Sequence, residues 1–346
     1  MRASDPRLGA DEVDRLAAAR AGDEGAFAAL VAPRRAELHA HCYRMLGSVH
    51  DAEDALQETF LRAWRSLAGF EERSSFRSWL YRIATNVCLN AIEKRPKRVL
   101  PLDHGPAGDP HERFLDPLPE SVWVEPYPDE VLGLEDGLTA PEARIEQREG
   151  VELAFIAALQ HLPAIQRAAL ILREVLGFSA KETAEALETS TAAVNSALQR
   201  ARKLVDERLL LAPLGDERLR EIAANYAAAL ERGDTDAVLG MVSEDIAWAM
   251  PPTPNWYSGH ESVRAFLEGG PFTVRWRHRV TTANGQLAVA GYIWDEERRV
   301  YGSYVLDVLT LREDGLIAEV DAFLDGSALR GFGLPDELPA DGAEGD

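Results

Sequence analysis

One stretch of the chain, residues 76–98, interleaves aromatic, amide and basic side chains at helical spacing. Aromatic faces stack on unpaired bases, Asn side chains read base edges, and Arg and Lys side chains bind phosphates. This composition suits a surface that holds single-stranded nucleic acid. The alternative is a helical hairpin in which Trp79 and Tyr81 are ordinary core residues. The candidate contacts, some just before the stretch, are Arg73, Ser74, Trp79, Arg82, Asn86, Asn90, Lys94 and Arg95.

The preceding residues predict an amphipathic helix that positions this stretch. Its apolar stripe contains Ala55, Leu56, Thr59, Phe60, Ala63, Trp64 and Leu67, spaced three or four residues apart. The opposite face is charged, with carboxylates at its start and Arg62 and Arg65 near its end. Gly69 and a polar turn separate it from the helix that begins near Phe76.

Residues 141–211 carry a second pattern typical of nucleic-acid recognition. Ser179 and Glu182 have the spacing of a capping box, and a short turn leads into a longer helix from Thr191. This is a helix-turn-helix pattern, in which the second helix enters the major groove. Exposed Asn and Gln can pair with adenine, and Arg and Lys with guanine or phosphate. The candidate contacts are Thr191, Asn195, Ser196, Gln199, Arg200 and Lys203.

The segments DAEDALQETFLRAW and SFRSWLYRIATNVCLNAIEKR resemble the promoter-melting domain of extracytoplasmic-function sigma factors of the sigma-70 family. Residues 162–205 resemble the domain of these factors that reads the −35 element, except that Glu188 stands where the turn often has Gly. The resemblance implies contact with promoter DNA and with the clamp and flap regions of RNA polymerase core. It implies that Asn86 captures a base flipped from the −10 element. The residues it assigns to the polymerase are Asp51, Asp54, Gln57, Glu58 and Arg62.

Composition narrows the class of protein. The formal net charge is −21, so a free chain should be repelled by DNA at long range unless a partner holds it there. No apolar run is long enough to span a membrane, and no signal peptide is recognisable, which favours the cytoplasm. Cys42 and Cys88 are expected to be buried apolar residues. His39, His41 and His50 lack metal-ligand spacing and are interpreted as surface residues, so no metal or cofactor is expected.

Residues 99–140 are rich in prolines and acids and show no helical or strand period. This composition predicts an extended linker between a first domain at 11–98 and a second at 141–211. The apolar residues within WVEPYPDEVL (123–132) allow a small docking patch on an otherwise solvated tether. The resemblance implies instead that the linker runs toward the polymerase active centre.

Residues 216–335 predict a third domain of α+β type. It is expected to contain a helix over 216–232, two shorter helices and a strand over 246–250, followed by four strands of an antiparallel sheet with a turn at Glu313–Gly315. It resembles the SnoaL-like branch of the cone-shaped NTF2 superfamily. Alternation along the strands puts Asp307 and Asp321 among apolar residues, where a carboxyl could be desolvated. The candidate pocket residues are Trp256, His260, Tyr292, Trp294, Asp307 and Asp321.

The sequence therefore predicts two all-α sigma domains, an acidic linker and an α+β domain. The predicted function is promoter-directed transcription initiation, with the third domain regulating activity in cis, without catalysis, through an unknown small ligand or regulator. One alternative is a helix-turn-helix regulator with a ligand-sensing domain, which would bind DNA without polymerase. Another is an isomerase or hydrolase fused to a DNA-binding module, which would require a substrate.

Overall fold

The computed structural model describes residues 10–71, 74–132, 152–205, 216–324 and 326–340. They fall into two compact units. The first contains Met1–Arg98 and Val131–Arg208, and the second contains Val99–Glu130 and Leu209–Asp346. Within the described residues, no helix is long and apolar enough to cross a membrane. Arg73 and the predicted linker residues 133–140 lie outside the described ranges.

The first unit is helical. Ser48 and Ser75 cap the two helices that carry the candidate contacts, each accepting a hydrogen bond from the backbone N–H three residues on. Gly47, with φ of 70°, ends the helix before them in a left-handed conformation that suits glycine. The helices are α1 (Ala10–Arg20), α2 (Glu24–Val31), α3 (Arg35–Leu46), α4 (Val49–Ser66) and α5 (Phe76–Ile92).

The core of this part lies between α3, α4 and α5. Leu38, Leu56 and Leu80 are fully buried there. The expectation that His39 and His41 lie on the surface is wrong. His41 is buried and its Nε2 lies 2.9 Å from Thr85 Oγ1. Burial and neighbouring arginines lower the pKa of His41 to about 3, so its ring is neutral inside the core.

The same unit contains the helix-turn-helix module. The capping box at Ser179 is present in both of its hydrogen bonds, as its spacing predicts. The turn before the last helix places Glu188 at φ of 51°, a left-handed conformation that costs a residue with a Cβ more than it costs glycine. The module comprises α7 (Leu153–Gln160), α8 (Ala164–Leu170), a π-helical turn (Ile171–Val175), α9 (Ala180–Ala186) and α10 (Thr191–Val205).

The second unit is built on one curved sheet with strand order β2-β1-β6-β5-β4-β3, and β7 pairs with β5. Pairing is antiparallel except between β1 and β6. The strands are β1 (Val242–Ala249), β2 (Trp256–Ser258), β3 (Trp276–Ala283), β4 (Gln286–Asp295), β5 (Val300–Leu311), β6 (Ile317–Phe323) and β7 (Glu337–Pro339). Its helices are α11 (Asp216–Arg232), α12 (Thr235–Leu239) and α13 (Gly259–Gly269). The α+β prediction for this domain is confirmed.

Residues 99–130 are not a solvated tether. They pack on the β-sheet domain, with a short helix α6 (Pro101–His104) near their start. Trp123 is 3% exposed and its Nε1 donates to the carbonyl oxygen of Pro252 over 2.8 Å. Tyr127 is fully buried, and its backbone N–H donates to Asn284 Oδ1 over 2.7 Å. We call residues 99–130 the docked segment.

Candidate nucleic-acid interface and C-terminal cavity

The two aromatic residues of α5 are core residues in this structure. Trp79 is 6% exposed and packs on Phe70 and Phe76, with ring centroids 4.9 and 5.5 Å away. Tyr81 is 1% exposed and its hydroxyl donates to Glu37 Oε2 over 3.3 Å. Trp79 and Tyr81 therefore lie where the alternative interpretation places them, in the core. Trp79 does not present its face to solvent and can support a base contact only through packing.

Asn86 is the half-buried amide of α5 and borders a shallow hollow. Arg62 and Arg65, from α4, line the same hollow. An amide beside two cations can accept a base edge while the cations bind the flanking phosphates. The hollow is lined by Arg62, Arg65, Ser66, Ile83 and Asn86.

Asn86 also borders a second hollow that reaches the helix-turn-helix module. This hollow joins the end of α5 to Ile165 of α8 and to Glu188 in the turn. Asn90 is exposed at the same place. The carboxylate of Glu188 adds negative charge beside a surface predicted to meet DNA. The helix-turn-helix module therefore borders the part of α5, at Asn86 and Asn90, that is predicted to bind single-stranded DNA.

The basic end of α5 is only partly available to a partner. Arg95 and Arg98 both form ion pairs with Asp51, and the Arg98 Nη2 to Asp51 Oδ2 distance is 2.9 Å. The Asp51 side chain is 12% exposed. Lys94 is exposed and Ser74 is half-buried. Asp51 therefore fastens the start of α4 to the end of α5, and its carboxylate is already occupied within the chain.

The polar face of α4 carries the other residues assigned to the polymerase. Asp54 and Gln57 are exposed, and Arg62 Nε donates to Glu58 Oε1 over 2.6 Å along the same face. Leu61 lies among them and is 42% exposed. It was not among the residues predicted to contact the polymerase. Together these residues make α4 a mixed charged, polar and apolar surface that is open to a partner.

The last helix of the first unit, α10, presents the predicted recognition face. Val194, Ala197, Leu198 and Ala201 are buried, and the candidate residues Thr191, Asn195, Ser196, Gln199 and Arg200 are exposed. Arg200 Nη1 donates to Ser196 Oγ over 2.6 Å, which orients the guanidinium along the helix. The side chain of Lys203 lies outside the described residues.

Sequence reasoning missed the contact that joins the two helical modules. Arg167, which is 4% exposed, donates to the backbone carbonyl oxygen of Met45 in α3 and to Gln160 Oε1. Phe178 packs edge-on against Tyr81 at 5.3 Å. Arg167 falls within an apolar helix where its cation could have indicated a buried partner. No periodic signal, however, marks backbone carbonyls of a distant helix as that partner.

The second unit contains a cavity of about 360 Å³ on the concave face of the sheet. Of the six candidate pocket residues, Asp307 alone lines it. Strand pairing explains the correction, because Tyr292, Trp294 and Asp321 lie on the opposite face of the sheet. The remaining two candidates, Trp256 and His260, form other contacts: Trp256 Nε1 donates to the carbonyl oxygen of Gly105, and His260 Nε2 lies 3.3 Å from that of Val242.

The two buried aspartates differ in surroundings. Asp307 is 4% exposed, and Tyr226 donates a hydrogen bond of 3.0 Å to its Oδ2. Burial raises the pKa of Asp307 to about 7, against the opposing effect of the Tyr226 hydrogen bond. Burial also raises the pKa of Asp321, and the neighbouring Glu319 raises it further. Within the described residues, no cluster of His, Cys, Asp or Glu could hold a metal ion.

Comparison with known families assigns each module. Sigma-70 region 2 matches residues 30–98, Sigma-70 region 4 matches residues 152–205, and a SnoaL-like domain matches residues 223–320. The chain is 42% identical over 328 residues to the ECF RNA polymerase sigma factor SigG of Mycobacterium tuberculosis, which covers 91% of this chain and 85% of that protein.

Other relatives match a smaller part of the sequence or the fold alone. The ECF RNA polymerase sigma factor SigW of Bacillus subtilis is 43% identical over 81 residues, which is 23% of this chain and 43% of that protein. The crystal structure of SigJ, an extracytoplasmic-function sigma factor of Mycobacterium tuberculosis, superposes with a TM-score of 0.56 at 23% identity. It covers 87% of this chain and 97% of SigJ, and so shows a shared fold.

Proposed function

The chain belongs to the extracytoplasmic-function sigma factors of RNA polymerase, and from that premise we propose how its surfaces divide the work of initiation. The α4 face of Asp54, Gln57 and Glu58 contacts the clamp of the polymerase core, with Leu61 as its apolar centre. Asn86 holds an unpaired promoter base. The exposed face of α10 reads the −35 element, and its module meets the flap region.

The observation that carries this proposal is the position of Asn86. Its half-buried side chain lies at a hollow that Arg62 and Arg65 also line, while Trp79 and Tyr81 of the same helix are buried in the core. An accessible amide beside two arginines, on a helix whose aromatic side chains are buried and cannot stack on bases, supports capture of one base rather than stacking of a long strand. Arg82, exposed and one helical turn before Asn86, supplies a further cation for the backbone.

Because the net charge of the chain is −21, we propose that the polymerase core supplies part of the surface that binds DNA. Long-range repulsion should keep the free chain from promoter DNA at physiological salt. Electrophoretic shift should therefore detect a promoter complex only after core is added, and run-off transcription should depend on both. Tight, sequence-specific binding by the chain alone would favour the helix-turn-helix regulator instead.

The contact between the two helical modules must change during initiation if Asn86 is to hold DNA. Ile165 and Glu188 border the hollow beside Asn86 and Asn90, where a DNA strand and its phosphates would have to pass. The carboxylate of Glu188 and a DNA phosphate carry charges of the same sign and would repel each other there. We assign the described arrangement to a resting state, in which Arg167 holds the second module beside α5.

The second unit is assigned a regulatory role in cis, consistent with a family of non-enzymatic transcription factors. Its docked segment is the chain that connects the two DNA-binding modules, so release of the segment would lengthen the path between them. We place this activity in the cytoplasm, where the polymerase acts. Trp123→Ala, which removes the indole buried against Pro252, should change the yield of run-off transcripts. An unchanged yield, with the segment shown to be released, would contradict regulation by this route.

A further inference from the structure

The concave cavity of the second unit has the dimensions of a small-molecule site. Its volume of about 360 Å³ is within the range of ligand pockets, roughly 300–1,000 Å³. Trp276 forms one wall, stacked on His278 and edge-on to Tyr304, with centroid distances of 5.8 and 5.7 Å. Most of the lining is apolar, including Leu230, Trp248, Met250, Phe266, Ile293 and Leu324.

The sheet is shaped to leave this space open. Gly291 lies where β4 shifts register against β5. A Cβ at this position would lie 2.6 Å from Val305 Cγ1 and 3.4 Å from His278 Nε2. The absence of a side chain therefore lets Val305 and His278 lie together along the cavity wall.

The mouth of the cavity is apolar and solvent-exposed. Phe114, Val274 and Tyr304 line it and are 38%, 45% and 43% exposed. Three large apolar side chains at one opening are unusual on the surface of a monomer, because each leaves apolar area in water. Phe114 belongs to the docked segment, so one wall of the mouth is supplied by the chain between the two DNA-binding modules.

Polar groups in the cavity are few. Asp307 uses Oδ2 in its hydrogen bond with Tyr226, and its other oxygen has no hydrogen-bond partner among the described residues. His278, whose side chain is 4% exposed, has its pKa lowered to about 4 by burial and is neutral at physiological pH. A buried carboxyl with a free oxygen in an apolar cavity favours a ligand that brings one hydrogen-bonding group and no charge.

We propose that this cavity binds a neutral, largely apolar small molecule with one hydroxyl or carbonyl group, which pairs with Asp307 and packs against Phe114. A hydroxyl can donate to the carboxylate or accept from the carboxyl, and a carbonyl accepts from the carboxyl. A carboxylate ligand would place a second negative charge beside Asp307 in an apolar surrounding, so it should bind more weakly than a neutral one. This inference concerns binding alone and does not depend on the proposed contacts with polymerase or DNA.

The test uses three matched probes on the full chain: 2-naphthol, 2-acetylnaphthalene and 2-naphthoate, titrated by calorimetry. The two neutral probes should bind saturably, and 2-naphthoate about tenfold or more weakly, because its charge must be desolvated. Saturable binding by neither neutral probe would overturn the proposal. Equal binding of 2-naphthoate would overturn the ligand class.

Two neighbouring residues provide the variant and its control. Phe114→Ala removes an aromatic wall of the mouth and should weaken 2-naphthol binding about fivefold or more. Leu115→Ala removes a more exposed side chain that does not line the cavity, and should leave binding unchanged. Equal affinity of the two variants would show that the segment takes no part.

A cavity-filling variant keeps the site itself under test. Ala322 lines the cavity and is 4% exposed, so Ala322→Leu adds volume inside it. If its circular dichroism is unchanged, the Ala322→Leu protein should lose 2-naphthol binding. Binding as tight as in the wild type would show that the probe binds outside this cavity. Bound 2-naphthol should also slow amide exchange at Leu115 and Leu118, whose N–H groups donate to Asn255 Oδ1 and to the carbonyl oxygen of Pro252. Unaltered exchange there would contradict contact between ligand and segment.

Discussion

Arg167 of the helix-turn-helix module donates a hydrogen bond to the backbone carbonyl oxygen of Met45 in the module that matches sigma-70 region 2. Its other acceptors are the side-chain and backbone oxygens of Gln160 and the carbonyl oxygen of Leu162. All of these acceptors are uncharged. Burial lowers the pKa of Arg167 to about 10, which leaves it a cation at physiological pH. Among the described residues, it forms no ion pair with a carboxylate. Such a group favours one arrangement of the modules, since its two terminal nitrogens are paired only when these oxygens converge on them.

Arg167→Ala should destabilise the first unit. The substitution leaves the Met45 carbonyl and Gln160 Oε1 without their donor, and a buried acceptor left unpaired costs about 1–3 kcal/mol. Amide exchange of α3 and α5 under increasing urea measures the free energy of unfolding of this unit alone. Arg202→Ala is the matched control, because Arg202 is 54% exposed and forms one ion pair with Glu174. The control should change the same free energy by about 1 kcal/mol or less. If the two substitutions lowered the free energy of unfolding equally, Arg167 would not be what holds the two modules together.

Asn86→Ala should impair promoter opening and leave core binding intact. The amide is half-buried at a surface hollow, so its removal exposes no core and withdraws only the group that would hold the base. Permanganate reactivity of unpaired thymines on a duplex promoter measures opening, and it should fall about tenfold, the discrimination of one good base contact. Asn225→Ala, at an exposed position on α11, is the control for loss of an amide. Equal opening by the Asn86 and Asn225 variants would sink the assignment.

The helical modules were predictable from sequence because their signals are local. The capping box at Ser179 and the 3.6-residue period indicate α4, α5 and α9 without reference to the rest of the chain. The predicted helix over 216–232 and the four main strands also agree with the structure. Strands β2 and β7 were missed because each has three residues and exists through pairing with β1 or β5.

The docked segment and the cavity could not be predicted for a different reason. The segment has no period, and its hydrogen bonds go to residues such as Pro252 and Asn284 that are more than a hundred positions away. For the aspartates, alternation placed both Asp307 and Asp321 among apolar neighbours. Period-2 alternation identifies two faces but not which one encloses a cavity, and register shifts in β5 add to the ambiguity.

Asn284→Gly should weaken the attachment of the docked segment to the sheet without straining the turn. Asn284 has φ of 56°, which glycine adopts readily, so the substitution removes chiefly the side-chain acceptor of the Tyr127 N–H. A buried donor left unpaired costs about 1–3 kcal/mol. Amide exchange at Tyr127 should therefore accelerate about tenfold. Arg299→Gly is the control, since Arg299 has the same φ of 56° at an exposed position. Equal exchange in both variants would mean that Asn284 does not hold the segment.

Asp307→Asn should stabilise the second unit at high pH and not at low pH. The folded protein holds the pKa of Asp307 at about 7, above the value of about 4 expected for an unfolded aspartate. Between these values the folded state binds the proton more tightly, so stability falls as pH rises from about 4 to 7 and levels off above that. The cost of ionisation, on the order of 4 kcal/mol, is absent in asparagine, which keeps an oxygen to accept from Tyr226. Thermal unfolding should give Asp307→Asn a melting temperature several degrees above wild type at pH 8.5 and near it at pH 4.5. The neighbouring His278, with its pKa near 4, titrates at the acid end in both proteins and cancels in the difference. The difference in melting temperature between variant and wild type could instead be the same at both pH values. That result would show that the Asp307 carboxyl does not ionise across this range.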